Sequence, residues 1–399
     1  MNLYDPERHR EPAQSEWDPE RARAWLRRWA AAALEVEARG HGWPLHPRDA
    51  DDVDATPAPL YSLYCGAGGV WLALALLAAA GLCRLPRGFA EVFAEALDGY
   101  VRRPDTGERV PSWFVGESGL LVASYLAGPS PATAERLAAV IRANRDNPTR
   151  EALWGAPGTM VAALCMVEAT GEPRWAELYR DSAAEIWSSW RLDERLGVWL
   201  WEQDMYGRRT RYLGAGHGWA GNLYPLWRGQ ALLSADMRAQ LRERTLEGLE
   251  RLARVEGELA NWPTVADGED KVLVQWCHGA PGLITSLRHA DLPEAASVLR
   301  KAANLIVRAG PLTKGAALCH GSDGNGVALL EMYRRTGDPV WLAQARRFAM
   351  AALAQSEADL SRYGQWHHSL WTGDAGLACV LLDALHGTCG GLPGLDSFW

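Results

Sequence analysis

Three short stretches of the sequence place histidine or cysteine before a glycine in one shared register. They read Gly216-His217-Gly218, Cys277-His278-Gly279 and Cys319-His320-Gly321. Thiolate and imidazole are ligands that zinc prefers, and two cysteines with one histidine leave a fourth tetrahedral position open. The shared register therefore predicts a zinc site of the catalytic type at Cys277 and Cys319. Spacing alone does not choose between His278 and His320 as the third ligand.

The histidine that has no cysteine beside it, His217, suits a different task. An imidazole titrates near neutral pH and is the commonest general acid or base. We therefore predict that His217 transfers a proton. The alternative is a hydrogen bond that supports a zinc ligand. Cys65, one residue before Gly66, is kept only as a subsidiary candidate ligand. The remaining four cysteines are interpreted as small hydrophobic residues of the core, namely Cys83, Cys165, Cys379 and Cys389.

These stretches belong to a repeat that fixes where they lie. A Gly-x-x-Gly element followed by apolar residues occurs seven times, with successive spacings of 50, 39, 63, 61, 42 and 52 residues. The first glycines are Gly66, Gly116, Gly155, Gly218, Gly279, Gly321 and Gly373. Such spacing is typical of a repeat of helical hairpins. Alanine, leucine and methionine dominate after each glycine pair, which predicts helices that are apolar nearly all round and buried.

A charged amphipathic helix is predicted before each glycine pair. Four of these helices have capping signals, at Asp18-Pro19, Ser130-Pro131, Glu172-Pro173 and Asp338-Pro339. Three more begin near Arg87, Ser234 and Pro293. The last apolar helix lacks the polar cap of an open solenoid. The sequence therefore predicts an all-α fold, an α/α toroid of seven hairpins and fourteen main helices in two layers. The only β-structure considered is a short strand at Val272–Val274.

Composition excludes several classes of protein. The chain has 399 residues, 48% hydrophobic and 23% charged, which is ordinary for a soluble globular protein. A net charge of −8 without a basic block argues against nucleic-acid binding. The uncharged run Tyr61–Cys83 is interpreted as a buried helix, so no stable membrane insertion is expected. Twenty tryptophans against five phenylalanines predict concave, wet surfaces lined by indole.

The same features predict one domain over residues 1–399, with residues 1–16 as a flexible or surface-packed arm. Met1–Arg8 contain no apolar run, so no secretory signal is expected. Seven dispersed cysteines, an odd number, favour a reduced cytoplasmic protein over a disulfide scaffold. No repeat offers two carboxylates at the functional register, which argues against glycoside hydrolysis.

Four motifs together resemble the lanthionine synthetase C-like (LanC-like) protein family across essentially the whole chain. They are Gly214–Gly221, Trp276–Gly282, Leu318–Ser322 and Ser369–Gly376. The resemblance implies that Cys277, Cys319 and His320 are the zinc ligands and that His217 is the general acid or base.

Details of the motifs resemble the eukaryotic-type, glutathione-transferring branch more than the lanthipeptide cyclases. His278 follows the first zinc cysteine, where cyclases typically have tyrosine. Leu273 occupies the position of the cyclases' arginine. Lys314, five residues before Cys319, matches a lysine thought to contact the thiol substrate. Glu151 matches an acidic residue of the family.

The resemblance implies zinc-dependent addition of a thiol, glutathione, to dehydroalanine or dehydrobutyrine in a peptide or protein. Zinc lowers the pKa of a bound thiol, the thiolate adds to Cβ, and His217 gives a proton to Cα. Two alternatives stay open. One is a lanthipeptide cyclase that forms intramolecular (methyl)lanthionine rings, and the other is a non-catalytic zinc-containing module that binds peptides.

Four further site residues each have two interpretations. Glu151 is a candidate catalytic residue that orients a histidine or polarises the amide, or else a solvated rim carboxylate. Lys314 binds a glutathione carboxylate or is a surface lysine. Arg211, with Arg208 and Arg209, holds an acidic substrate or belongs to a solvated loop. His278 is assigned to substrate binding by the resemblance, whereas spacing also allows it as a metal ligand.

Overall fold

A computed structural model of the chain describes residues 3–11, 16–40, 42–49, 59–267 and 271–399. The chain forms two compact units. The first comprises Met1–Pro6, Pro111–Trp113 and Ala134–Ala309, and the second comprises Glu7–Val110, Phe114–Thr133 and Gly310–Trp399. Residues 1, 2 and 12–15 of the predicted N-terminal arm lie outside the described residues. Arg10, in the described part of this arm, donates its backbone N–H to the carbonyl of Pro311 at 2.8 Å, and both residues belong to the second unit.

Fourteen α-helices are found in the described ranges, and two kinds alternate along the chain. In order they are α1 (Pro19–Ala38), α2 (Ala67–Ala79), α3 (Phe89–Arg102), α4 (Glu117–Ala127), α5 (Pro131–Asn144), α6 (Ala156–Thr170), α7 (Pro173–Ser188), α8 (Trp219–Arg228), α9 (Ala235–Leu252), α10 (Ala280–Ser286), α11 (Ala296–Ala309), α12 (Ser322–Thr336), α13 (Pro339–Tyr363) and α14 (Asp374–His386). Odd-numbered helices are amphipathic, and the even-numbered ones are largely buried. This is the alternation that the repeat predicts.

The first glycine of every repeat is the N-cap residue of an even-numbered helix. Two of these glycines also have a positive φ, a backbone conformation that other residues rarely adopt. Gly218 has φ +147°, and a Cβ there would lie 2.1 Å from the carbonyl oxygen of Tyr212. Gly279 has φ +105°, and its Cβ would lie 1.9 Å from the oxygen of Leu273. These caps place His217 and His278 in tight turns immediately before α8 and α10.

Local capping explains where the amphipathic helices begin. The side chain of Asp18 accepts the backbone N–H groups of Glu20 and Arg21. Ser234 and Asp338 cap α9 and α13 in the same way. The predicted starts at these positions are confirmed.

Among the described residues, six three-residue strands form three antiparallel hairpins, all in the first unit, and the sequence did not predict them. They are β1 (Arg191–Asp193) with β2 (Val198–Leu200), β3 (Gln203–Met205) with β4 (Arg208–Thr210), and β5 (Arg254–Glu256) with β6 (Leu259–Asn261). Val272, in the segment considered as a strand, makes only an isolated bridge with Pro263.

Tryptophan is used mainly to fill the core. Nine tryptophan side chains are fully buried, so the prediction of wet indole surfaces is wrong for these. Trp201 Nε1 donates to the carbonyl oxygen of Ile186 at 2.8 Å. Five of the nine have an Nε1–H group without a hydrogen-bond partner among the described residues, namely Trp25, Trp29, Trp175, Trp190 and Trp219. Within the described ranges, no helix is both long and apolar enough to cross a bilayer.

Candidate active site

His217 is held by a buried carboxylate. Its Nδ1 lies 2.8 Å from Oε2 of Glu151, and Glu151 is completely buried. The same carboxylate accepts the backbone N–H groups of Leu153 at 2.9 Å and Trp154 at 2.6 Å. Glu151 is therefore fixed by its own turn, and it is not a solvated rim carboxylate. With Nδ1–H directed to the carboxylate, Nε2 is the nitrogen left to exchange a proton.

The charges around His217 favour its protonated form. Burial lowers the pKa of His217, but the hydrogen bond and charge of Glu151, together with the charge of the Cys277 sulfur, outweigh burial and raise it. A raised pKa in a mostly buried imidazole suits a general acid that operates near neutral pH.

The loop that holds Cys277 packs against the loop that holds His217. Backbone hydrogen bonds at 3.2 Å join Gln275 and His278 in both directions, and Gly216 N–H donates to the carbonyl of Cys277 at 3.3 Å. A Cβ at Gly214 would lie only 1.9 Å from that carbonyl oxygen. The Cys277 side chain is buried, and its Sγ accepts Nε2–H of Gln275 at 2.9 Å.

His278 is a neutral, half-buried imidazole beside His217. Burial, followed by the positive charges of His217 and Lys271, lowers the pKa of His278 to about 3. Its ring centroid lies 6.2 Å from that of His217 and 5.7 Å from that of Tyr212. Its Nδ1 is buried and has no hydrogen-bond partner in the described part of the chain.

An aromatic group that sequence reasoning missed surrounds His217. Tyr206, at the turn between β3 and β4, lies edge-on to His217, with ring centroids 6.4 Å apart. Tyr212 lies 6.1 Å from His217, and its backbone N–H donates to the side chain of Gln203 at 2.8 Å. The dipeptide Tyr206-Gly207 between two short alternating runs was the signal available for this hairpin.

Arg211 is engaged elsewhere in the first unit. Its guanidinium forms ion pairs with Asp193 and Asp267, which neutralise its charge. Together with Arg150, Asp193 and Glu202, it lines an open cavity of about 640 Å³ that has mixed charge. Arg209 likewise pairs with carboxylates of its own hairpin, at 3.4–3.7 Å. The basic segment therefore offers little unpaired charge to an acidic substrate.

The second unit holds the other predicted metal ligands. Cys319 is buried and donates its backbone N–H to the carbonyl of Trp371 at 3.0 Å. His320 follows it and is mostly buried. Burial, then the positive charge of Lys314, lowers the pKa of His320 to about 4, while Asp49 opposes the shift. Lys314 itself is exposed and acts on His320 through its charge.

A polar network that the sequence did not predict lies in this unit. The carboxylate of Asp49 contacts His367 Nε2 at 2.6 Å and accepts the hydroxyl of Thr372 at 2.6 Å. His46 stacks on His367 with ring centroids 4.3 Å apart. Cys65 Sγ lies 4.0 Å from Thr372 Oγ1, and burial raises the pKa of its thiol, so Cys65 stays protonated.

The predicted site residues thus fall into two groups, one in each unit. Glu151, His217, Cys277 and His278 lie together in the first unit, with Arg211 engaged in its own ion pairs. Cys319, His320 and Lys314 belong to the second unit. A search of the described ranges finds no group of three or more His, Cys, Asp or Glu side chains arranged to hold a metal. The zinc-ligand set remains a prediction.

Comparison with known proteins identifies the family. Residues 51–393 match the family model described as lanthionine synthetase C-like protein. The chain belongs to this family. Family membership, together with the alternation of fourteen described helices, confirms the predicted fold class, an α/α toroid of helical hairpins.

Two curated relatives are eukaryotic LanC-like proteins, as the motifs predicted. Glutathione S-transferase LANCL1 of Danio rerio is 33% identical over 145 residues, covering 35% of each chain. LanC-like protein GCL1 of Arabidopsis thaliana is 29% identical over 204 residues, covering 47% of this chain and 44% of the relative. The match therefore spans less than half the length of either relative.

Among solved structures, an unsaturated glucuronyl hydrolase from Streptococcus agalactiae matches at 12% identity, with a TM-score of 0.42, covering 96% of this chain and 95% of the other. This likeness is distant and does not bear on the activity of the chain.

Proposed function

We propose that this LanC-like protein catalyses the zinc-dependent addition of glutathione to dehydroalanine or dehydrobutyrine residues in peptides or proteins, forming a thioether. The observation that carries the proposal is the buried Glu151–His217 pair beside Cys277. A proton donor held beside a proposed zinc ligand would lie close to a thiol bound at the metal, as protonation of carbon after sulfur addition requires. The name of the zebrafish relative supports glutathione as the thiol.

The donor set in the family's motifs fits zinc. Cys277, Cys319 and His320 supply two thiols and one imidazole, which leaves one tetrahedral position for a substrate. Both thiols are buried, and the Cys277 sulfur accepts an N–H group from Gln275, as a metal-bound thiolate commonly does. Bound zinc would lower the pKa of the incoming thiol, so that it reacts as a thiolate at neutral pH.

His217 completes the reaction. The thiolate sulfur forms a bond with Cβ, the electron pair of the Cα–Cβ double bond moves toward the amide carbonyl, and Cα then receives a proton. His217 Nε2 supplies that proton and is left as a neutral imidazole. The proton that the thiol released then protonates the imidazole again. Glu151 keeps Nδ1 protonated throughout and holds the ring in one orientation.

Lys314 is proposed to bind a carboxylate of glutathione. Its ammonium group is exposed and acts electrostatically on His320, as a cation at the edge of the site would. His278, kept neutral, offers a hydrogen bond to the acceptor peptide without adding charge next to His217. Arg211 is a less suitable anion-binding group, because two carboxylates already pair with it.

A lanthipeptide cyclase remains the second candidate function, but one observation argues against it. Where the cyclases have an arginine, Leu273 is a buried apolar side chain, 8% exposed. The reducing cytoplasm is the compartment proposed for this chemistry, because it maintains both free cysteines and glutathione.

Purified protein incubated with glutathione and a synthetic dehydroalanine peptide tests the proposal. We expect time-dependent formation of the glutathione adduct, detected by mass, that stops when zinc is removed by a chelator and resumes when zinc is restored. A peptide with both cysteine and dehydroalanine, without glutathione, tests cyclisation. Faster ring closure in that peptide than glutathione addition would favour the cyclase. Absence of both products would leave the peptide-binding module.

A further inference from the structure

Tyr206 occupies a costly position on the protein surface. It lies at the tip of the β3–β4 hairpin with φ +53° and is followed by Gly207 at +70°, the pattern of a type I′ turn. Such turns normally use asparagine, aspartate or glycine at the first position, because other side chains are strained there. The side chain is also 68% exposed, the most exposed large hydrophobic residue among those described. Neither feature benefits folding.

The hydroxyl of Tyr206 is nevertheless oriented. The indole Nε1–H of Trp154 donates to it at 2.8 Å, and the two rings meet edge to face with centroids 6.5 Å apart. An indole N–H only donates, so the tyrosine oxygen accepts in this bond. The O–H of Tyr206 therefore remains available as a donor, and within the described ranges it has no acceptor.

The ring of Tyr206 stands beside the proton donor. Its centroid is 6.4 Å from that of His217, and the two rings are nearly perpendicular, at 82°. Trp154 thus has two roles in one turn, because its backbone N–H binds the Glu151 carboxylate that orients His217, and its indole orients Tyr206. The imidazolium of His217 and the hydroxyl of Tyr206 are therefore both oriented by the short segment that contains Glu151 and Trp154.

We propose that Tyr206 is a catalytic residue that donates its hydroxyl hydrogen bond to the amide oxygen of the dehydroamino acid. The inference rests on the proposed addition reaction. As the sulfur–Cβ bond forms, the displaced π electrons place negative charge on that oxygen. Tyr206 stabilises this charge without giving up its proton, and His217 then protonates Cα. The indole N–H strengthens the phenol as a donor by polarising its oxygen.

The same geometry assigns the acceptor a defined pose. The amide oxygen of the bound residue faces the hairpin tip, whereas its Cα faces His217. Preorganised donors aimed at developing charge are among the largest contributions to enzyme catalysis, and loss of one in a buried site lowers kcat about 10²–10³-fold. Because Tyr206 is exposed to water in the free protein, we expect a smaller loss, of about 10–100-fold.

Tyr206→Phe is the decisive variant, since it keeps the ring contacts and removes only the oxygen. We expect kcat for glutathione addition to fall about 10–100-fold, with little change in KM and in the unfolding midpoint. Trp154→Phe removes the polarising N–H and should reduce kcat less than Tyr206→Phe does. Tyr125→Phe on α4 is the matched control, because it removes the same oxygen from a tyrosine that has no role in the proposed mechanism, and its kcat should stay within about twofold of wild type.

The outcomes separate the inference from the proposed function. Wild-type activity with an unchanged kcat in Tyr206→Phe overturns the role of the hydroxyl and leaves thiol addition intact. A fall in stability or a rise in KM, with kcat preserved, would show that Tyr206 only supports the hairpin. Wild-type protein that forms no adduct under any zinc loading overturns both proposals together.

Discussion

Glu151 and His217, which are 66 residues apart in sequence, meet through a 2.8 Å contact between a fully buried carboxylate oxygen and Nδ1. Two backbone N–H groups hold the other lone pairs of that carboxylate, so its orientation does not depend on the histidine. Glu151 therefore sets both the orientation and the proton affinity of His217, whereas its own orientation is set by the turn.

Replacement of Glu151 by glutamine should change the pH dependence of the reaction. The glutamine amide cannot supply the negative charge that raises the pKa of His217, so that pKa falls. Because the general acid must be protonated, the loss of activity at high pH should begin at a lower pH than in wild type. A pH–rate profile of kcat measures this. An unchanged alkaline limb in a folded, zinc-containing Glu151→Gln protein would mean that His217 is not the titrating acid.

Zinc content should depend on the cysteines of the glycine register and on no other buried cysteine. Cys319→Ala removes one thiolate of the proposed set and should leave less than one tenth of the metal after dialysis. Cys379→Ala is the control, because Cys379 is equally buried on α14 but its Sγ bonds a backbone carbonyl at 3.3 Å. Elemental analysis of both variants decides the matter. Full zinc in Cys319→Ala, or loss in Cys379→Ala, contradicts the ligand set.

Gly218 should be intolerant of any side chain. Its φ of +147° and the 2.1 Å approach to the Tyr212 carbonyl mean that Gly218→Ala must move the backbone that carries His217. We expect a loss of about 2–4 kcal/mol in the free energy of unfolding. The matched control is Gly337→Ala, at the end of α12, where φ is +67° and a Cβ would meet nothing within 4 Å. That change should cost only about 1–2 kcal/mol. Denaturant titrations that give equal losses would show that close packing at Gly218 is unimportant.

A buried acid at the start of α12 should make stability depend on pH. Asp323 is 1% exposed, and its carboxyl oxygens have no hydrogen-bond partner within the described ranges. Burial, then the charge of Asp374, raises the pKa of Asp323 well above its usual value. The folded chain therefore keeps a proton that the unfolded chain releases above about pH 4. Stability should fall as pH rises from there to the raised pKa.

Asparagine at position 323 cannot ionise, so Asp323→Asn should flatten that fall and become more stable than wild type at the alkaline end. Thermal unfolding at several pH values between 4 and 9 would show it. The exposed Asp98→Asn on α3 serves as the control and should retain the wild-type profile. A parallel profile for Asp323→Asn would mean that folding does not shift the pKa of Asp323.

The sequence predicted the helical repeat well because its signals are local. Each first glycine caps a buried helix, and the requirement for glycine at Gly218 or Gly279 arises from the backbone of the same turn. The hairpins were missed because strands of three residues carry too little alternation to be recognised. The tryptophan prediction failed because the large apolar surface of an indole favours the core even where its N–H finds no partner among the described residues, as at Trp25.

The site was predictable only in part, for a related reason. Register placed His217 and Cys277 at equivalent positions, but no spacing rule could select Glu151 as the partner of His217 over many other carboxylates. Tyr206 reaches His217 only because an unforeseen hairpin folds back over it. Asp49 likewise joins His367 across 318 residues of sequence. Contacts of this kind depend on tertiary structure and leave no local pattern.

The most direct test of the account compares His217→Asn with wild type in rate and in zinc content together. If His217 protonates Cα, the variant should keep its fold and its full zinc complement, yet add glutathione to a dehydroalanine peptide about 10²–10⁴-fold more slowly. Asparagine is small and neutral and cannot act as an acid at neutral pH, so the loss should not be rescued by added zinc. Wild-type rates in His217→Asn, or zinc loss as complete as in Cys319→Ala with activity restored by excess metal, would contradict the assignment of His217 as the proton donor.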